Sequence, residues 1–270
     1  MPAARTDVEP EESTYDAGVY ESLVAVEDRH FWFRARNRAI VTAFDSIRAR
    51  LGAGYRVLEV GCGTGNVLRD LQRAAGDGTV IGMDLHAEGL RYARRRVDPA
   101  LLVRADASQP PFSVKFEVVG LFDVIEHLEH DVAVLQSLRR LLAPGGFLLL
   151  TVPAAPRLWS YFDVGSRHKR RYRESELREK LVAAGYSVEY LTPYMGALYP
   201  ILWLGRRFTG RGHRRALATH EAWSVAEADL RVRRVSGAVL GFALAQELHL
   251  LRRRKRLPFG ASLLAVARVA

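Results

Sequence analysis

The sequence predicts an α/β domain in which a mostly parallel sheet of seven strands lies between layers of helices. Three observations carry that prediction. From Tyr55 onward, short apolar runs alternate with amphipathic stretches of helical period, which is the pattern of repeated strand–helix–strand units. The first apolar run empties into a glycine-rich turn, Gly61-Cys62-Gly63-Thr64-Gly65, that opens a helix. The composition, 49% hydrophobic and 26% charged over 270 residues, supports one full core and excludes a largely disordered chain.

Residues 1–14, rich in Pro, Glu, Asp and Ser, predict a frayed tail. Tyr15–Gly52 reads as two helices around the cluster His30-Phe31-Trp32-Phe33. In the second, Ile40, Phe44, Ile47 and Leu51 recur at three- and four-residue spacing, so one face packs on a core. The strands expected are Arg56–Val60, Thr79–Asp84, Ala100–Arg104, Phe116–Phe122, Gly146–Pro153, Tyr186–Leu191 and Ser262–Val269. Pro144-Gly145-Gly146 punctuates the approach to the fifth strand and Gly185 the approach to the sixth. Between strands six and seven, where a turn would suffice, the chain runs on through two apolar helical stretches and several basic clusters. The organisation read from this is an α/β domain of residues 15–192 plus 259–270, with a helical basic insertion over 193–258.

The single cysteine, Cys62, excludes an intramolecular disulfide framework and a Cys-cluster zinc site, and fits a reducing cytoplasm. No signal peptide is expected in the acidic N-terminal residues, and Gln246, Glu247 and His249 interrupt the longest apolar stretch that could suggest a membrane span. The formal charge of +10 is uneven: from Thr151 onward 22 Lys and Arg face 9 Asp and Glu, about +13, which leaves the first 150 residues at about −3. Nucleic acid, anionic lipid or a phosphorylated substrate each fit such a basic half.

The chemistry concentrates at the ends of the strands. Val57-Leu58-Glu59-Val60 runs into glycines at alternate positions, where the backbone can turn tightly and approach a ligand. The G-x-G-x-G spacing, with Glu59 two residues ahead, departs from the G-x-G-x-x-G of dinucleotide sites and counts against NAD. The second strand ends at Asp84, placed to accept from both ribose hydroxyls. The third ends at Ala105-Asp106-Ala107, placed to meet an adenine edge, and the fourth at Asp123-Val124-Ile125-Glu126-His127.

This series resembles the class I S-adenosylmethionine-dependent methyltransferases, on the side of the small-molecule and ubiquinone-pathway O-methyltransferases, over roughly residues 30–190 plus the last strand. The resemblance implies a Rossmann-like sheet of order 3-2-1-4-5-7-6 with strand seven antiparallel, and S-adenosylmethionine as cofactor. It implies that Glu59 orients the methionine amino group and that Gly61, Gly63 and Gly65 cover the methionine portion, with Cys62 a small apolar filler among them. Asp84 would hold the ribose, Leu85 would stack on the adenine, Asp106 and Ala107 would read its edge, and Asp123, at the carboxyl edge of the fourth strand, would belong to the cofactor-binding residues.

For the acceptor side, methyl transfer from a sulfonium is an in-line displacement that positioning can largely drive. His127 is the first candidate for a base, with a structural histidine as the alternative. Asp123-x-x-Glu126-His127 also resembles the E-x-x-E-H metal site of the ubiquinone-pathway enzymes, with Asp in place of the first Glu; no metal ligand is assigned on that basis. His168-Lys169-Arg170-Arg171-Tyr172 resembles an H-x-x-R-Y stretch over the acceptor pocket of related enzymes, which implies His168 and Tyr172 as pocket residues and Arg171 as an anion-attracting one. His30-Phe31-Trp32-Phe33-Arg34 resembles an N-terminal element that covers the cofactor mouth in some bacterial members, with core packing the preferred role here.

The expected partner is a small-molecule, hydrophobic or lipid-linked acceptor. The apolar stretches leading into Arg206-Arg207 and Arg252-Arg253-Arg254-Lys255-Arg256 have the form of an anionic membrane-surface contact, and the alternative is two helices packing on the domain with cations at their C-terminal ends. The chain lacks the N/D-P-P-Y motif of enzymes that methylate base amines, and no basic groove interleaved with aromatics is visible, so nucleic acid is the weaker partner. A protein that binds the cofactor without turnover is the remaining alternative.

Overall fold

In the computed structural model the described residues are 17–97, 101–208 and 234–269. The expected tail, and Arg211, Arg214 and Arg215 of the insertion, lie outside them. Two helices, α1 (Ala17–Glu27) and α2 (Phe31–Arg48), precede the sheet. Then β1 (Arg56–Val60), α3 (Asn66–Ala75), β2 (Thr79–Asp84), α4 (Ala87–Ala93), β3 (Leu101–Arg104) and β4 (Phe116–Phe122) alternate. They are followed by α5 (Asp131–Arg139), β5 (Leu142–Pro153), α6 (Tyr161–Gly165), α7 (Glu174–Ala183), β6 (Tyr186–Tyr194), α8 (Leu198–Phe208), α9 (Arg234–Arg252) and β7 (Ser262–Val269).

The seven strands form one sheet in the order β3-β2-β1-β4-β5-β7-β6, with β7 antiparallel to both neighbours, as the resemblance implies. The strand sequences alternate between two buried faces. Val57, Val118, Leu149, Leu264 and Val266 pack under α2, α3 and α9 with Ile40, Phe44, Leu68 and Leu244. Leu58, Val119, Leu148, Leu150, Leu263 and Ala265 face α5 and α7 with Leu135, Leu138, Leu177 and Leu181. Successive side chains point to opposite faces, so a sheet covered on both sides reads as a continuous apolar run.

Two strands are longer than expected. β5 begins at Leu142, which pairs with Phe116 before the register shifts at the Pro-Gly-Gly segment. β6 runs on to Tyr194 because Thr192, Pro193 and Tyr194 continue the pairing with Leu264, Leu263 and Ser262, so the insertion starts two residues later than expected. Its two apolar stretches are α8 and α9. α9 lies against α2, with Leu244 and Leu251 buried. Glu247 accepts from the backbone N–H groups of Gly196 and Ala197 at 3.1 and 2.8 Å, so the acid within the apolar stretch caps the approach to α8. Among the described residues no helix is long and apolar enough to cross a membrane.

Candidate active site

The carboxyl ends of β1, β2, β3 and β4 open into a cleft of about 220 Å³. Of the ten sequence-expected cofactor residues, Glu59, Gly61, Cys62, Gly63, Asp84, Leu85, Asp106, Ala107 and Asp123 line it. Gly65 does not. It caps α3 at φ 75°, and a Cβ there would stand 3.0 Å from both Cα and Cβ of Ala93. The third glycine of the motif therefore serves close packing of the turn on α4, a correction to its expected ligand role.

Glu59 is buried beneath the turn, and its Oε2 meets no hydrogen-bond partner. Burial pushes its carboxyl well up, with Arg36 opposing and Asp84 and Asp70 adding to the rise. Asp84 accepts from the Gly63 N–H at 2.7 Å and from the His86 N–H at 2.8 Å, which ties the glycine turn to the end of β2. Burial raises its carboxyl, and those two N–H groups pull it back. Asp106 accepts from the Ser108 N–H at 2.7 Å, and Leu85 lies exposed at the cleft. Burial, with Glu59 and Asp84 nearby, drives the Cys62 thiol well up.

Asp123 sits in the left-handed region at φ 58°, and the Thr151 hydroxyl donates to its carboxylate at 3.2 Å. Arg36 donates to its other oxygen at 3.1 Å, from α2 and across the cleft. The sequence reading missed Arg36, together with Tyr20, Leu23 and Glu27 of α1, all of which line the cleft. Glu27 accepts from the Thr64 hydroxyl at 2.7 Å and pairs with Arg96 at 2.8 Å, so α1 is strapped over the glycine turn. The aromatic cluster does pack as expected: Phe33 is buried, while Trp32 and Phe33 carry the Arg36 guanidinium at 5.1 and 5.3 Å from their ring centres. α1 and Arg36 thus wall the cleft.

Beyond β4 the chain turns through a short 3-10 segment, Ile125–His127, which brings Glu126 into the core and His127 into the cleft wall. The Lys169 N–H donates to the Glu126 carbonyl at 2.8 Å, lacing the 163–172 segment onto this turn. The ring of His168 lies 4.8 Å from that of His127, edge on, and its Nδ1 stands 3.0 Å from Asp163. Asp163 is fully buried; burial alone would raise it, but His168 and Arg171 hold it below the usual carboxylate range. Burial and the neighbouring His168 push His127 down to about 3, which keeps it neutral.

Tyr172 and Arg171 are placed differently from expectation. The Tyr172 hydroxyl donates to Asp131 at 2.8 Å and approaches the Ile125 carbonyl, and the residue is fully buried. Its phenol is committed to the core between α5 and α7 and is not offered to a ligand in the cleft. Arg171 donates to Asp163 at 2.6 Å and to the Ala154 carbonyl, so it is spent inside the protein. Both brace the His168 loop.

Glu126, His127 and His168 each offer a ligand atom within 4.8 Å of the others. Both Glu126 carboxylate oxygens are buried without a hydrogen bond, and burial with the nearby Asp123 raises its carboxyl well up. These residues fit a divalent ion: one carboxylate, two imidazoles, and Asp163 behind the far nitrogen of His168 to orient the ring. Asp123, the first member of the E-x-x-E-H-like motif, is instead turned toward Arg36.

Comparison with known proteins agrees with this geometry. The family described as "Methyltransferase domain" matches residues 28–191. A ubiquinone biosynthesis O-methyltransferase of Psychrobacter cryohalolentis is 30% identical over 144 residues, covering 50% of this chain and 55% of that protein. A fatty-acid O-methyltransferase of Mycolicibacterium smegmatis is 37% identical over 125 residues, 45% of each. The chain thus spans about half the length of these curated relatives. Among solved structures, phosphoethanolamine N-methyltransferase 2 of Haemonchus contortus, in complex with S-adenosyl-L-methionine, superposes with a TM-score of 0.58 at 18% identity, over 96% of this chain and 58% of that one. An S-adenosylmethionine-dependent methyltransferase of Clostridium acetobutylicum superposes with a TM-score of 0.55 at 11% identity, over 94% and 97%. With the sheet order, the glycine turn and the strand-end acids in place, the chain belongs to the class I S-adenosylmethionine-dependent methyltransferases.

Proposed function

We propose that the chain transfers the methyl group of S-adenosylmethionine to a small-molecule acceptor with an apolar body, by in-line displacement beside His127. The observation that carries this reading is the pairing of an unpartnered, buried Glu59 oxygen with Arg36 in one cleft. A zwitterionic amino-acid end fits it, the ammonium on Glu59 and the carboxylate on Arg36, while Asp84 accepts from ribose hydroxyls and Leu85 covers the adenine. When bound, the cofactor supplies a methyl group on a good leaving group, so the chain's own task is to bind, orient and exclude water.

His127 is too weak a base to strip a hydroxyl by itself; as a neutral imidazole it orients an acceptor hydroxyl by accepting its hydrogen bond. His168, steadied by Asp163, stands behind it. Relatives named for ubiquinone biosynthesis and for fatty acids share the matched segment, which supports an apolar acceptor. The test is titration calorimetry with S-adenosylhomocysteine on the parent and on Glu59→Gln, with labelled-methyl incorporation into lipid and polyprenyl-linked extracts. Unchanged affinity in Glu59→Gln would overturn the cofactor placement.

The close approach of Glu126, His127 and His168 favours a second reading of the acceptor side, in which these three residues would hold a divalent ion whose Lewis acidity would be available to an acceptor oxygen. Cobalt titration followed by visible absorption tests it: a tetrahedral or five-coordinate spectrum lost in His168→Ala supports it, and a featureless titration refutes it.

A membrane-surface role for the insertion is supported by exposed Ile201, Leu204, Phe242 and Leu250 and by the exposed Arg252, Arg253 and Lys255. The basic run is partly spent, since Arg256 pairs with Glu174 and Arg254 lies 3.9 Å from Glu189. Flotation with anionic liposomes should need anionic lipid and weaken with salt; equal recovery with neutral liposomes would remove this role.

A further inference from the structure

A second cavity, of about 450 Å³, opens at the other half of the sheet's carboxyl edge, where β5 and β6 end and β7 begins. Pro156, Pro193, Leu263, Phe259 and the ring of Tyr199 give it apolar walls, and it shares no lining residue with the cofactor cleft. Its size is that of a small-molecule site.

Two features make it more than a surface dent. Arg157 and Arg173 line it, both exposed at its mouth, and no carboxylate among the described residues pairs with either. Arg157 instead lies over the Tyr199 ring, 5.1 Å from its centre. The backbone at the edge is held in a rare conformation: Ala155 and Met195, just beyond β5 and β6, have φ of 56° and 59°. Such conformations cost free energy and gather at ligand sites.

We infer that this cavity binds the anionic headgroup of an amphiphile, with the anion on Arg157 and Arg173 and the chain against Phe259, Pro193 and Leu263. The two guanidinium groups suit a carboxylate or a phosphate headgroup. The lining holds two guanidinium groups and one carboxylate, Glu174, which is already shared with Arg256 and Arg178. The role expected of Arg171 passes to its neighbours: Arg171 faces inward to Asp163, whereas Arg157 and Arg173 are free to meet an anion. β7, at the floor, is two strands from β4 in the sheet.

The inference extends the methyltransferase reading, but its test does not depend on turnover. Dodecanoate, kept below its micelle concentration, is titrated into the protein saturated with S-adenosylhomocysteine, beside dodecanol and dodecyl phosphate. The expected result is one-to-one binding of dodecanoate and of dodecyl phosphate, each at least about tenfold tighter than dodecanol. Arg157→Gln and Arg173→Gln should each weaken both several-fold, and neither should change the affinity for S-adenosylhomocysteine. Equal binding of dodecanol would reduce the site to an apolar patch, and displacement by S-adenosylhomocysteine would place the ligand in the other cleft; either overturns the proposal. Failure to bind S-adenosylhomocysteine at all would count against the cofactor reading and leave the dodecanoate titration to be judged by itself.

Discussion

Replacing Gly65 and Gly63 separately by alanine should produce opposite defects, although the two belong to one motif. At Gly65, φ is 75° and the new Cβ would lie 3.0 Å from the Cα and Cβ of Ala93, atoms that no side-chain rotation can move away. A left-handed alanine costs about 1–2 kcal/mol, and overpacking adds about 1–3 kcal/mol. The loss is then roughly 2–5 kcal/mol, a fall in Tm on the order of 5–15 °C for a domain of this size. Gly63 has φ 50°, but an added Cβ meets nothing within 4 Å. Its stability cost is the left-handed term alone, about 1–2 kcal/mol.

The open space beside Gly63 belongs to the cleft, so a methyl group there competes with the cofactor. Gly63→Ala should lose about tenfold or more in affinity for S-adenosylhomocysteine, near 1.4 kcal/mol, while Gly65→Ala, assayed well below its Tm, should keep the parental affinity. Scanning fluorimetry and titration calorimetry on the same preparations decide it. A Gly65→Ala protein as stable as the parent but unable to bind would refute the packing role. A Gly63→Ala protein with unchanged affinity would refute the cleft placement.

Three further outcomes follow from the same geometry. Arg36→Ala leaves Glu59 and Asp123 without their shared cation and should weaken S-adenosylhomocysteine by roughly 10- to 100-fold, about 1.5–3 kcal/mol for charged hydrogen bonds; Arg36→Lys should recover part of it, and equal affinities in all three proteins would remove Arg36 from the site. Asp84→Ala removes the acceptor of two backbone N–H groups as well as the carboxylate proposed to hold the ribose, so both Tm and affinity should fall, and a drop in Tm alone would show that the acid is only structural. His127 has its folded pKa pushed from 6.5 down to about 3, so between those values the unfolded chain binds a proton that the folded one refuses. Stability should therefore fall as pH falls below 6.5, by about 1.4 kcal/mol per unit from this residue, with His30, also lowered by burial, acting in the same direction. Urea unfolding of chelator-treated protein at pH 6 and 4.5 should show a shallower acid loss in His127→Gln, and an identical slope would contradict the buried, neutral placement.

The acids that line the cleft were legible because each stands at the end of a strand whose apolar run can be read directly. Glu59, Asp84 and Asp106 are fixed by β1, β2 and β3, and a residue at a strand end has few places to go. Gly65 was misassigned because one motif hides two demands on a glycine, closeness to a ligand and closeness to Ala93, and only the packing of α4 separates them. Tyr172 and Arg171 were misassigned for a related reason. The H-x-x-R-Y spacing places three polar residues on one segment, but their directions depend on Asp163 and Asp131, which lie 8 and 41 residues away in sequence. Arg36 and the cleft residues of α1 carry no local motif, because a helix reports which face is buried and not what that face covers.

The buried carboxyl groups show how the cleft is prepared for a cation. Asp163 is answered by Arg171 and His168 and stays ionised, whereas Glu59 keeps an unpaired oxygen and is driven upward by burial. An ammonium group can bind only the ionised form of Glu59, so cofactor binding must expel whatever proton that carboxyl holds. Affinity should therefore rise with pH through the raised Glu59 pKa and level off above it, the sign opposite to that of a cationic anchor losing its charge. Calorimetric titrations with S-adenosylhomocysteine in buffers of different ionisation enthalpy measure the proton directly. Release on binding that vanishes in Glu59→Gln is the expected result. Proton uptake, or release that survives the substitution, would mean that the amino group is held elsewhere and that the lone Glu59 oxygen answers to some other part of the ligand.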